Sequence, residues 1–281
     1  MKKKRLDRLF RADERHGMRP LALVSGPRGC YSYPEDSGDD TFLLAEAGRM
    51  FTAVLAARLK ENGVFDFDTR ARDVLNKEEV PQEKTIGQLL LEDATGHPDD
   101  ILVDNVLAKA GGMPVSELLH REIIDPLCMN STYVLFASEP GRAAALKYQT
   151  PCVAGEDAGQ DERLQDGLIS DRIVSSPSDL MIFQRALYMG TLISPDTLTR
   201  MQKMRSEKRH GVRRGMGFME LSLDSPRLVP RALPTLMGYS GSLATHMYFD
   251  VSFNTHYVLS YADTAHVRHA KKRLAQMVDA S

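Results

Sequence analysis

From Phe42 to Leu59 the apolar positions Leu43, Leu44, Ala47, Met50, Phe51, Val54 and Leu55 return at three- and four-residue steps, which predicts a helix with a wide buried face. Asn62-Gly63 closes it, because both residues tolerate the left-handed backbone of a C-cap. Ahead of it, Leu6, Leu9 and Phe10 share one side of a short basic helix. Pro20 to Ser25 and Cys30 to Tyr33 then read as strands joined by the turn-forming Gly26-Pro27-Arg28-Gly29. Shorter helices are predicted over Thr85–Leu91, Ile101–Ala110 and Val115–Ile124. Another begins at an N-cap Ser178 and runs to about Met189, and a further one runs from Pro195 through roughly Arg205. Glu139 to Gly167 lacks periodicity and reads as connection. The last third changes period: Met216–Leu223, Ser242–Asp250 and Thr255–Tyr261 are strand-like, Asp250 to Asn254 is a hairpin turn, and Ala265–Val278 returns to helical spacing.

Two strands, a block of helices, a meander and a terminal helix predict an α+β fold. Its antiparallel sheet has first and last strands that meet, with flanking helices and an inserted helical subdomain. The expected division is a single domain over 1–281, in which 18–75 and 206–281 build the sheet part and 76–205 is mainly helical.

A net charge of -2, with acids and bases interspersed, gives no reason to expect a nucleic-acid partner. The start MKKKRLDRLFRADERHG is basic like an export signal, but charged residues interrupt every apolar stretch that could follow. No window is apolar enough to span a bilayer, so a cytoplasmic protein without a membrane partner is expected. Cys30, Cys128 and Cys152 are odd in number and widely spaced, as ordinary free thiols are.

Five segments stand in a telling order: FLLAEAGRMFTAVLAARLKENGVFDFDTRARDVL from Phe42, TIGQLLLEDATGHP from Thr85, GMPVSELLHREIIDPLCMNSTY from Gly112, IVSSPSDLMIFQRALYMG from Ile173 and MGYSGS from Met237. Together they resemble the serine β-lactamase and penicillin-binding protein superfamily, in the branch of class C-like β-lactamases, esterases and D-amino-acid peptidases. The resemblance implies a β-lactamase/transpeptidase-like fold and three catalytic elements, each altered here. Glu46 and Arg49 stand where the family has the serine and lysine of Ser-x-x-Lys. Arginine stays protonated and cannot act as the base that lysine is, so the pair reads as an intrahelical ion pair. The Tyr-x-Asn loop, near Thr95-Gly96-His97, is deleted, with His97 in its neighbourhood. Tyr239-Ser240-Gly241 replaces Lys-Thr-Gly; Gly241 suits close approach of backbone to a ligand, Ser240 can donate a hydrogen bond, and the Tyr239 phenol is neutral near pH 7.

The expectation is therefore a catalytically inactive relative that binds a small molecule or protein in the former cleft, with Arg49, His97, Tyr239, Ser240 and Gly241 as ligand-binding candidates. The alternative is replaced, non-serine chemistry at Glu46, Arg49 and Tyr239, as an isomerase, lyase, cyclase or hydrolase. A third reading, hydrolysis by a displaced Ser240, Ser175 or Ser176, lacks a base at any local spacing. No cofactor is implied. His246 and His256, or His266 and His269, have no partner spacing that marks a metal site.

Overall fold

In the computed structural model, which describes residues 1–75, 84–91, 98–135, 148–158, 168–203, 206–209, 211–223 and 233–281, the first and last strands do meet. In chain order the helices are α1 (Lys3–Arg15), α2 (Arg49–Glu61), α3 (Ala71–Leu75), α4 (Ile86–Leu91), α5 (Pro98–Gly111), α6 (Val115–Leu119), α7 (Pro177–Tyr188), α8 (Pro195–Met201) and α9 (Val267–Ala280). The strands are β1 (Leu21–Gly26), β2 (Gly29–Tyr33), β3 (Thr41–Leu43), β4 (Tyr133–Val134), β5 (Tyr148–Gln149), β6 (Cys152–Val153), β7 (Glu156–Asp157), β8 (Ile173–Ser175), β9 (Ser206–Arg209), β10 (Val212–Gly215), β11 (Phe218–Ser222), β12 (Thr235–Gly241), β13 (Thr245–Asp250) and β14 (Thr255–Ser260). An eight-stranded sheet runs β2-β1-β14-β13-β12-β11-β10-β9, and its neighbouring strands are antiparallel.

Both faces of this sheet are covered, and that is why β13 and β14 are buried at every position rather than alternately. Tyr239, Met247 and Val258 belong to the core that α2 and α7 complete on one face. Tyr248, Tyr257 and Leu259 belong to a second core, made with Leu6 and Phe10 of α1 and with Leu274 and Met277 of α9. Ten of the thirteen residues of α2 are buried. A helix apolar nearly all round must be enclosed, and α2 lies between the sheet and the other helices, with Phe51 stacked on Phe183 of α7 at 4.1 Å.

The apolar run from Phe42 is not one helix. Phe42 and Leu43 lie in β3 and pair with Ser175 and Val174 of β8; a 3-10 turn over Ala45–Gly48 then leads into α2. An apolar segment enclosed on every side satisfies strand and helix equally, so periodicity could not separate them. The N-cap of α7 is Ser176 rather than Ser178: its hydroxyl accepts from the Asp179 N–H at 3.2 Å, and Pro177 occupies the first turn, where no N–H is needed.

Candidate functional site

The first turn of α2, the 3-10 turn before it and the end of β12 come together. Ala45 takes a left-handed backbone at φ 47, a conformation that costs a non-glycine residue about 1–2 kcal/mol. Directly after it, the Glu46 carboxylate accepts the backbone N–H of Ser242 at 2.7 Å. Gly241 is explained by this approach: a Cβ there would lie 2.7 Å from the Leu44 carbonyl oxygen. The backbone that comes close is thus the chain's own. Gly48 is held likewise, since a Cβ would lie 2.0 Å from the carbonyl oxygen of Ser170.

Arg49 turns inward and is buried, while Glu46 is half exposed and faces the β12–β13 turn. Among the described residues no ion pair joins them, so the expected Glu46–Arg49 bridge does not form; sharing a helical face at i and i+3 is not enough when one side chain enters the core. Arg49 meets the Tyr239 phenol instead, and Arg214 of β10 donates to the same oxygen at 3.5 Å. Burial pushes the Tyr239 pKa up, and the two guanidiniums pull it part of the way back. Arg49, Tyr239, Arg214, Leu90 and Val103 line a cavity of about 30 Å³, room for one or two waters.

Ser240 lies on the opposite face of β12. Its hydroxyl contacts His246 Nδ1 and the Tyr248 hydroxyl, each at 2.8 Å. A serine beside a histidine invites a nucleophilic reading, and two facts oppose it. Burial, aided by Lys271, pushes the His246 pKa down to about 3, far below what an effective general base needs. His246 Nε2 is also buried without a hydrogen-bond partner among the described residues. An under-used acceptor is tolerated in an interior more readily than an orphaned N–H, which assigns the ring proton to Nδ1. His246 then donates to Ser240, Ser240 to Tyr248, and Tyr248 to Met219 Sδ at 4.0 Å, so the histidine is not aimed to receive the serine proton.

The other displaced-serine candidates are equally committed. Ser175 bonds Thr132 at 2.8 Å, and Thr132 and the Ser131 N–H both donate to Asp179 Oδ2 at 2.8 Å. Burial raises the Asp179 pKa, partly offset by the bonds from Thr132 and Ser131. A raised folded-state pKa contributes stability that is fully present below the ordinary value of 3.8 and is lost as pH rises through the folded value. Asp179→Asn, with its amide oxygen in the place of Oδ2, keeps both acceptor contacts. It is expected to gain stability relative to the parent as pH is raised from 3 to 7 in urea unfolding titrations, and parallel pH profiles for the two proteins would refute this assignment.

His97 lies outside the described residues. Of the other expected residues, Glu46, Arg49, Tyr239 and Gly241 gather at the junction of α2 and β12, and the Ser240 side chain does not face it. Two groups at the site escaped the sequence reading. Nothing in the order of residues separates Arg214 from its charged neighbours, although alternation along β10 turns it toward Tyr239 while Arg213 faces Glu220 on β11. The Ser242 amide is main chain and has no signature in side-chain identity.

No protein-family model matches the chain, and no curated protein matches it in sequence. Solved structures do match. The D-amino acid amidase from Ochrobactrum anthropi SV3 superposes with a TM-score of 0.81 at 16% identity, covering 98% of this chain and all of its own. The fold is that of the serine β-lactamase/transpeptidase-like superfamily. The penicillin-binding protein from Bacillus halodurans has a TM-score of 0.72 at 15% identity, covering 96% of this chain and 98% of its own. Simvastatin synthase (LovD) from Aspergillus terreus has a TM-score of 0.73 at 14% identity, covering 96% and 93%. At such identities the likeness defines the β-lactamase-like fold and leaves the chemistry to the residues at the site.

Proposed function

We propose that this β-lactamase-like chain is a binding protein that has lost acyl-serine chemistry and holds a small molecule at the cleft around Glu46, Arg49 and Tyr239. The observation that carries the reading is the Glu46–Ser242 contact. An acyl transfer at this position needs a nucleophile and an amide donor for the developing oxyanion. Here a carboxylate stands in the nucleophile's place and accepts the nearby N–H itself. Arg49 and Arg214 beside Tyr239 favour an anionic group on the ligand, such as a carboxylate, and the small cavity suits a single functional group. A cytoplasmic location remains part of the proposal; among the described residues no helix is long and apolar enough to cross a membrane.

The test is to incubate the intact protein with a fluorophosphonate, a β-lactam and D-phenylalanine amide. Intact mass should not change and amide hydrolysis should equal the buffer blank, while titration calorimetry with small carboxylates gives saturable heat. Stoichiometric modification of any serine would overturn the reading.

One observation bears on replaced chemistry as the second reading: burial keeps the Tyr239 phenol protonated beside Arg49 and Arg214, as a neutral hydrogen-bond donor at the site would need to be. Turnover of any metabolite that is lost in both Glu46→Gln and Tyr239→Phe would establish it.

A further inference from the structure

At one end of the molecule, away from the cleft, two unlike features adjoin. The start of α1 carries Lys2, Lys3 and Lys4, all exposed, with no acid in the first turn. Cations there oppose the helix dipole, which favours negative charge at an N-terminus, so the arrangement works against the helix itself. The turn between β13 and β14 holds Val251 and Phe253 out to solvent at 62% and 55% exposure. This turn is built: the Asp250 carboxylate accepts the N–H groups of Ser252 and Phe253 at 2.9 and 3.2 Å. Arg28, on the neighbouring β1–β2 turn, lies 5.7 Å from the centre of the Phe253 ring and donates to the Ser281 carbonyl at 3.1 Å. The Lys2 N–H donates to the Ala280 carbonyl at 2.7 Å. These bonds gather the start of α1, the end of α9 and both turns into one surface.

We propose that this surface docks on an anionic lipid bilayer, with Val251 and Phe253 entering the headgroup region and Lys2, Lys3, Lys4 and Arg28 set against lipid phosphates and carboxylates. Charge complementarity and the exposed apolar tips together select this partner. A soluble polyanion accounts for the cations and leaves the tips unused; a neutral bilayer does the reverse. The helix does not insert, because Leu6 and Phe10 are fully buried in the protein's own core. The proposed contact is peripheral, whereas the sequence-based expectation of no membrane partner considered only spanning segments.

Co-sedimentation of the whole protein with phosphatidylcholine vesicles containing about one-third phosphatidylserine tests this at low salt, where anionic surfaces attract cations most strongly. Binding is expected to be strong, to fall with added salt, and to be nearly absent on pure phosphatidylcholine. Replacing Lys2, Lys3 and Lys4 with glutamine should weaken it by about a hundredfold, at roughly 1 kcal/mol per cation near the surface. Val251→Ser with Phe253→Ser should weaken it separately, with unfolding midpoints unchanged in both variants. No binding, equal binding to neutral vesicles, or binding that ignores the two serine replacements would overturn the proposal. An oligonucleotide or polyglutamate held through the same lysines without loss in the serine variant would assign the surface to a soluble polyanion instead.

Discussion

Asp13→Ala is expected to lose about 3–5 kcal/mol of folding stability, the range for leaving one side of a buried ion pair without its partner. The Asp13 carboxylate is 2% exposed and accepts from Tyr261 at 2.6 Å, from His269 Nε2 at 2.8 Å and from Arg273 through Nε at 2.8 Å and through Nη2. Truncation leaves a buried guanidinium and a buried phenol without their acceptor, and each carries its own desolvation penalty. Asp13→Asn, which keeps an acceptor and loses the charge, should fall between parent and alanine variant. Burial raises the pKa of Asp13, but the bonds from Arg273 and Tyr261 and the charges of Arg273 and His269 outweigh it, and the net shift is downward. A depressed carboxylate contributes stability that is present above its ordinary value of 3.8 and lost as pH falls through the folded value. The parent should therefore lose stability below about pH 4 more steeply than Asp13→Asn. Guanidinium unfolding of the three proteins from pH 3 to 7 measures both effects; an alanine variant within 1 kcal/mol of the parent would show that the cluster is not buried as a unit.

That cluster was invisible in sequence, because its members lie some 250 positions apart, as the separations of 248 and 260 between Asp13 and Tyr261 or Arg273 show. Periodicity could announce α1 and α9 as amphipathic helices without saying which polar residue each would bury. The same limit governs the site. Glu46, Arg49 and Tyr239 were legible because an ordered set of landmarks resembled a known family, and the family's spacing indicated which positions to inspect. The relations between them were not legible: Glu46 turned to a main-chain amide and Arg49 to a phenol, although helical spacing alone favoured a bond between the two. β10 was hidden for a related reason. An edge-proximal strand carries charge on its open face, and the Arg213–Glu220 pair at 2.6 and 2.7 Å is a cross-strand contact that reads in one dimension as a polar flank. The sheet itself was easier, since strands enclosed on both faces leave long apolar runs whose aromatic and β-branched content marks them as strands.

If acyl-serine chemistry is lost as proposed, the position of Arg49 also decides what a single substitution at the site can achieve. Glu46→Ser installs a hydroxyl and at the same time releases the Ser242 N–H, which Glu46 holds at 2.7 Å, for a developing oxyanion. It leaves the hydroxyl without a base, because Arg49 does not give up its proton at any useful pH. The single variant should therefore react with a fluorophosphonate no faster than the parent. Adding Arg49→Lys places an amine in the same buried position, where burial and the positive charge of Arg214 across Tyr239 both lower its pKa toward the range of a working base. The double variant is expected to label at residue 46 at least about a hundredfold faster than the single one, the lower end of what a positioned general base contributes. Intact mass spectrometry over time gives both rates, and melting curves confirm that each variant is folded. Equal labelling of the single and double variants would show that the base was not the missing element. A folded double variant that stays inert would show that the approach of α2 to β12 no longer has the geometry that acylation requires.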